Sequence, residues 1–278
     1  MALLRTLAVL VLAAAAPLAL AQQPYRFSPV NQWDISKTAA YWNPIVQYVG
    51  TKSGVPMQLK IGRTSADTTA FVLAQEVEFV FTNHLFSPER QKLGWKVFGR
   101  RVAPAVKAQI VVPADSAITS LAQLRDLEVA YAGPEAFIGY KVPSAHLIAL
   151  GIPVKSVFSG NQNAAFMQLF SGRAAAVGSN SMLVDSYATR EKRAFRVLWQ
   201  SDGYHDLALM ASSKVPEAHV RAVAAAFLGM HEDPVGRKVL ESASKEVALT
   251  VNDHFIAASM ADYRNYVTWF ERAPSHLR

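Results

Sequence analysis

The chain has no cysteine among its 278 residues. That excludes disulfides, thiolate metal sites and a lipid carried on an N-terminal cysteine. Nucleotide signatures are missing too. No Gly-x-Gly-x-x-Gly follows a strand pattern, and no phosphate loop ends in Gly-Lys-Ser or Gly-Lys-Thr. There is no Gly-x-Ser-x-Gly elbow. The seven histidines, at 84, 146, 205, 219, 231, 254 and 276, form no close pair at metal-ligand spacing. His205 and Asp206 make a poor acid–base pair unless they lie in a loop, because neighbours in a strand point to opposite faces. No internal repeat is present. These absences argue against catalysis, and no enzyme activity, cofactor or resident metal is expected.

What is present begins with an export signal. Met1-Ala-Leu-Leu-Arg5 leads into an apolar run that ends at Ala19-Leu20-Ala21. A charged start, an apolar core and a small-x-small exit predict cleavage after Ala21. No later stretch is apolar enough to span a membrane, so the mature chain is expected to be soluble and periplasmic. Its formal charge is +7, or one less once the signal with its single Arg5 is gone. The basic residues are scattered, and the densest clusters, Arg100-Arg101 and Arg190-Glu-Lys-Arg193, read as solvated faces rather than a nucleic-acid surface.

Strand and helix patterns alternate from the start. Tyr25–Asn31 reads as a strand. A helix carrying Tyr41, Trp42, Ile45, Val46 and Val49 on one face follows it, capped by Asp34 or Ser36 and closed by Gly54. Further strands are expected at 55–62, 78–82, 95–98, 108–112, 127–131, 155–159, 174–178, 195–199 and 207–211, most with helical segments between them. This order predicts βαβ units and a mostly parallel sheet. The tail reads as helical, with a last helix starting at Asn252 or Asp253 and running past Trp269-Phe270. Residues 107–204 form one compact unit, and 22–106 with 205–278 form a second, so two connections join two lobes. Hinge closure around a ligand is a known use of such a layout.

Polar or aromatic turns follow the strands. They supply the candidate ligand contacts: Asn31 and Trp33, Asn83 and His84, Glu135-Ala136-Phe137, Asn161 and Gln162, Asn180, and Tyr204-His205. Tyr41 joins them from the first helix. In open α/β sheets, ligands bind beyond the carboxyl ends of the strands. A helix that starts there presents free N–H groups to an anion.

Four stretches carry a family resemblance. They are Tyr41-Trp-Asn-Pro-Ile-Val-Gln-Tyr-Val49 with Ser53-Gly54-Val55, Gln109–Ser116 with Ile118–Leu124, Leu127-Glu-Val-Ala-Tyr-Ala-Gly-Pro134 with Gly139-Tyr140, and Val157–Gly160 with Asn163-Ala164 and Gly172–Val177. In this order and spacing the mature chain resembles the periplasmic substrate-binding proteins of phosphate, phosphite and phosphonate ABC transporters. The resemblance implies an α/β, two-lobe type II binding-protein fold with mixed sheets and a two-strand hinge. It implies a monomer that captures a small polar ligand and hands it to an inner-membrane permease. The alternative is a sensor subunit that presents the ligand to a membrane histidine kinase. It also locates the site. Where the family has a hydroxyl-rich turn for the phosphoryl oxygens, this chain has Glu135-Ala136-Phe137. A carboxylate there would repel a phosphonate unless protonated or turned away, so altered specificity and weakened phosphonate binding are expected. The family's histidine in the next turn corresponds to Asn161 or Gln162, and its following acidic residue to Asn180.

Overall fold

The computed structural model describes residues 23–249 and 254–278. The signal expected at 1–21 and the helix start expected at Asn252 or Asp253 lie outside those residues.

The first part of the chain forms β1 (Tyr25–Pro29), α1 (Ile35–Ser53), β2 (Met57–Leu59), α2 (Ser65–Leu73), β3 (Phe79–Thr82), α3 (Pro88–Gln91) and β4 (Lys96–Arg101). The middle forms β5 (Val106–Pro113), β6 (Glu128–Tyr131), α4 (Val142–Ala149), β7 (Lys155–Phe158), α5 (Gln162–Phe170), β8 (Ala176–Asn180), α6 (Ser181–Glu191) and β9 (Phe195–Tyr204). The chain then returns through β10 (Ala208–Ala211), α7 (Glu217–Leu228), α8 (Pro234–Glu246), β11 (Phe255–Ala257) and α9 (Arg264–Arg272).

Two mixed sheets result, in the orders β11-β4-β10-β3-β1-β2 and β7-β6-β8-β5-β9. In the first, β1 runs parallel to β2 and β3, while β10 and β11 pair antiparallel. In the second, β6 runs parallel to β7 and β8, while β5 is antiparallel to β8 and β9. The strands of the two sheets are joined at two crossings, β4 to β5 and β9 to β10.

The local reasons are visible in the sequence. Asp34 caps α1 by accepting from the Lys37 N–H, and Gly54 ends it at a φ of 69°, where a side chain would be strained. Tyr41, Trp42, Ile45, Val46 and Val49 are its buried stripe. The helix runs through Pro44. Proline has no N–H for the backbone bond to Ala40, and burial of that stripe offsets the loss. Strand β3 is buried at every position, as expected of a central strand covered on both faces.

Four expectations are corrected. The sheets are mixed, not mostly parallel, because β5, β10 and β11 pair antiparallel with their neighbours. Arg101, expected on a solvated face, is fully buried beside Asp206, whose charge compensates it. Strand β9 continues to Tyr204 instead of ending near Trp199, because its second half pairs with the start of β5, Val106 opposite Tyr204. The tail is not wholly helical. Phe255–Ala257 forms an edge strand on β4, and α9 begins only at Arg264. Three residues are too few for periodicity to reveal a strand.

Candidate functional site

The carboxyl ends of β1, β3, β6 and β8 converge between the sheets on a small cavity of about 50 Å³. One water occupies roughly 10–15 Å³ on such a measure, so the space suits a solute of a few heavy atoms.

The first sheet supplies Val30, Asn31 and Gln32 after β1, Asn83 and His84 after β3, and Leu207 at the return crossing. The second supplies Ala132, then Ala136, Phe137, Ile138 and Gly139 from the turn after β6. Gln162 comes from the start of α5, and Asn180 and Leu183 from the start of α6.

The turn after β6 winds wide before α4. The N–H groups of Tyr140 and Lys141 both bond the Ala136 carbonyl, at 2.8 and 3.0 Å. A wide turn of this kind is often found at functional sites. It packs tightly on β8, where a Cβ on Gly178 would collide with the Tyr131 ring and the Gly139 carbonyl. Three helical segments thus begin at the wall, and the first N–H groups of a helix have no partners inside it.

The wall's amides differ in what they have left to offer. Asn31 donates to the Gly62 carbonyl at 2.8 Å and accepts from Thr68 at 2.6 Å. Asn180 accepts from the Leu183 N–H at 2.8 Å, which leaves its NH2 group free. Gln162 donates to the Gly178 carbonyl at 3.3 Å. The Tyr266 hydroxyl donates to the His205 carbonyl at 2.6 Å, so Asn83, its other partner, must be the donor to the phenol oxygen. Gln32 is 5% exposed, and its Oε1 has no hydrogen-bond partner among the described residues.

Among the described residues, His84 is the only charge-capable side chain in the wall. Its Nδ1 lies 2.6 Å from the Thr69 hydroxyl, leaving Nε2 for a ligand. Burial pushes its pKa down to about 3, so the ring is neutral at ordinary pH.

Glu135 is not part of the wall, which corrects its expected place beside the ligand. Its carboxylate is turned to Arg90 at 2.6 Å and lies 3.9 Å from Lys141. Burial pushes the carboxyl up, but the Arg90 hydrogen bond and the charges of Arg90 and Lys141 outweigh that, and the net shift is downward. Arg90 also donates to the His84 carbonyl at 2.9 Å.

The Arg90–Glu135 pair bridges the two lobes, and it has company. Asn163 donates to Asp34 at 3.4 Å, and Ser186 to the Val247 carbonyl at 2.7 Å. The Phe137 ring sits among Tyr204, Tyr266, Trp269 and Phe270, with centroids 4.3–5.3 Å away. The lobes are therefore in contact around the cavity.

Of the candidates from the sequence, Asn31, Asn83, His84, Ala136, Phe137, Gln162 and Asn180 come together at the cavity. The other expected contacts lie elsewhere. Trp33 and Tyr41 are core residues packed on each other at 5.4 Å. Asn161 caps α5 by accepting from Ala164. Tyr204 packs on Phe137, and His205 lies near Tyr263. Gln32, between the expected contacts Asn31 and Trp33, also lines the cavity. The signal that would have found it is the direction of the chain leaving β1: Asn31 is tied back to Gly62 and Trp33 enters the core.

The family profile for ABC-transporter phosphonate periplasmic substrate-binding proteins matches residues 27–263. This chain belongs to that family. A sequence search of curated proteins finds no match. Among solved structures, one similar chain is the binding-protein component of an ABC phosphonate transporter from Pseudomonas aeruginosa. The TM-score is 0.75 at 14% identity, covering 90% of this chain and 86% of that one. PhnD1 from Prochlorococcus marinus, in complex with methylphosphonate, also scores 0.75 at 15% identity, covering 89% and 97%. A Xanthomonas citri protein bound to chloride scores 0.68 at 15% identity, covering 91% and 96%. At these identities the likeness is one of fold: the type II periplasmic binding architecture.

Proposed function

We propose that this protein captures a small oxyanion of the phosphonate or phosphite class and delivers it to an ABC permease. The lobes, residues 22–106 with 205–278 and residues 107–204, close on the ligand by bending at the two crossings. The chain makes no covalent change to what it binds.

One observation carries the reading. The cavity lies where helical segments begin, and its wall contains amides and a neutral imidazole but no carboxylate. Helix starts favour anions through their free N–H groups and dipoles. The electrostatic objection raised by Glu135 falls away, because Arg90 and Lys141 compensate its charge. The small volume favours a compact solute over a nucleotide or a peptide.

Calorimetry with methylphosphonate, phosphite and phosphate tests the ligand class, and small-angle scattering tests closure. Saturable binding of at least one of the three is expected, with a ligand-bound form no larger than the free one. Binding of none of them, alongside clear binding of an amine or an amino acid, would defeat the reading.

A further inference from the structure

Two adjacent amides follow β1, and they are used differently. Both polar atoms of the Asn31 side chain hold the protein together, one on Gly62 and one on Thr68. Gln32 lines the same cavity, almost fully buried, with its carboxamide oxygen unpartnered. A buried acceptor without a donor is costly to keep. A ligand that brings an O–H to it removes that cost.

Charge around the cavity points the same way. Among the described residues, no lysine, arginine, aspartate or glutamate lines the wall. Next to it, Arg90 and Lys141 face the carboxylate of Glu135, so cationic side chains outnumber carboxylates there by one, and Lys141 also donates to the Arg278 backbone oxygen at 3.4 Å. Asp34, two residues beyond Gln32, is paired with Lys37 at 3.1 Å. The surroundings therefore balance one negative charge.

We propose that the cavity selects a singly charged oxyanion that still carries a proton, and that Gln32 Oε1 accepts the hydrogen bond from that hydroxyl. The NH2 of Asn180 and the N–H groups at the helix starts take the ionised oxygens. A doubly charged ligand would turn a bare anionic oxygen toward the Gln32 carbonyl oxygen, so it binds more weakly. This inference rests on the oxyanion reading above.

The titratable groups facing the cavity do not confuse the test. His84 is neutral throughout the neutral range. Glu135 is held ionised by Arg90. The Lys141 amine, whose pKa burial lowers, attracts a dianion about twice as strongly as a monoanion, and any titration of it shows in the ester profile, where the ligand charge is constant. A second probe that cannot lose a second proton therefore isolates the ligand's own ionisation.

The experiment is calorimetry on the wild-type protein from about pH 5.5 to about pH 8.5, with methylphosphonate and with its monomethyl ester. The ester is a monoanion at every pH and has no acidic O–H. Relative to the ester, methylphosphonate affinity is expected to fall by up to about tenfold per pH unit above its second ionisation. At low pH the ester should bind more weakly than methylphosphonate. Gln32→Met should lose about ten- to a hundredfold in methylphosphonate affinity at low pH, with a melting temperature no lower than wild type. A flat or rising methylphosphonate profile relative to the ester overturns the inference while the oxyanion reading stands. No binding of methylphosphonate at any pH overturns the inference, and failure of phosphite and phosphate as well overturns the oxyanion reading. The wild-type profile decides the matter even if the variant does not fold.

Discussion

Two arginine–carboxylate pairs serve the cleft in different ways. Arg101 ends β4 and Asp206 precedes β10, so their 3.5 Å pair ties together the two crossings between the sheets, with both side chains essentially fully buried. The Arg101 guanidinium also lies over the Tyr41 and Phe81 rings. Arg90 and Glu135 meet at 2.6 Å with about a fifth of each side chain exposed, and they join one lobe to the other. The first pair can break only if the hinge itself comes apart. On the closure proposed above, the second breaks each time the lobes separate. The same chemistry would then serve folding in one place and closure in the other.

The largest effect should come from the hinge. Arg101→Met leaves Asp206 buried without its charge partner, and breaking such pairs costs about 3–5 kcal/mol. Denaturant unfolding should show that loss. A loss below about 1 kcal/mol, the range of exposed pairs, would erase the contrast between the two sites.

His84 gives a pH test of the buried cleft floor. Its folded pKa, about 3, lies below the ordinary value of 6.5. Between those values the unfolded chain holds more protons, so stability falls as pH falls through that window. The slope approaches about 1.4 kcal/mol per pH unit well inside it. His84→Gln should flatten the His84 part of the slope. An unchanged slope in the variant would mean that other groups govern acid sensitivity.

Glu135→Gln should cost little in unfolding, about 1 kcal/mol, yet change shape. Scattering of the ligand-free variant should give a larger radius of gyration than wild type. Removing the carboxylate also raises the local charge, so the preference for a protonated ligand should weaken. An unfolding loss as large as that of Arg101→Met would make the pair a folding element after all.

The smallest contrast lies between two caps. Asn161→Ala and Asn180→Ala each remove a helix cap, for about 1 kcal/mol of stability. Only Asn180 also faces the cavity, so only its variant should lose ligand affinity, by about tenfold.

Much of the site was legible as a set of turns. Asn83-His84 and Asn180 follow strands whose apolar runs are plain, and the wide turn at 136–139 follows the strand of Leu127–Tyr131. Which residue of a turn faces the ligand was less legible. Trp33 and Gln32 are neighbours, and one enters the core while the other lines the cavity. That choice depends on where α1 packs and on the hold of Asn31 on Gly62, 31 positions away. Glu135 was misplaced for the same reason. Its partner Arg90 lies 45 positions earlier on the other lobe, and no local pattern links them.

The alternation of strands and helices, the two crossings and the positions of the polar turns can be read from the order of residues. These follow from periodicity, caps and glycines, which act over a few residues. Packing in three dimensions makes the turns line a cavity of a few atoms, pairs Glu135 with Arg90 outside the wall, and leaves Gln32 Oε1 without a partner among the described residues. Those outcomes depend on how one lobe meets the other, and burial and charge pairing act between residues that are neighbours only in space.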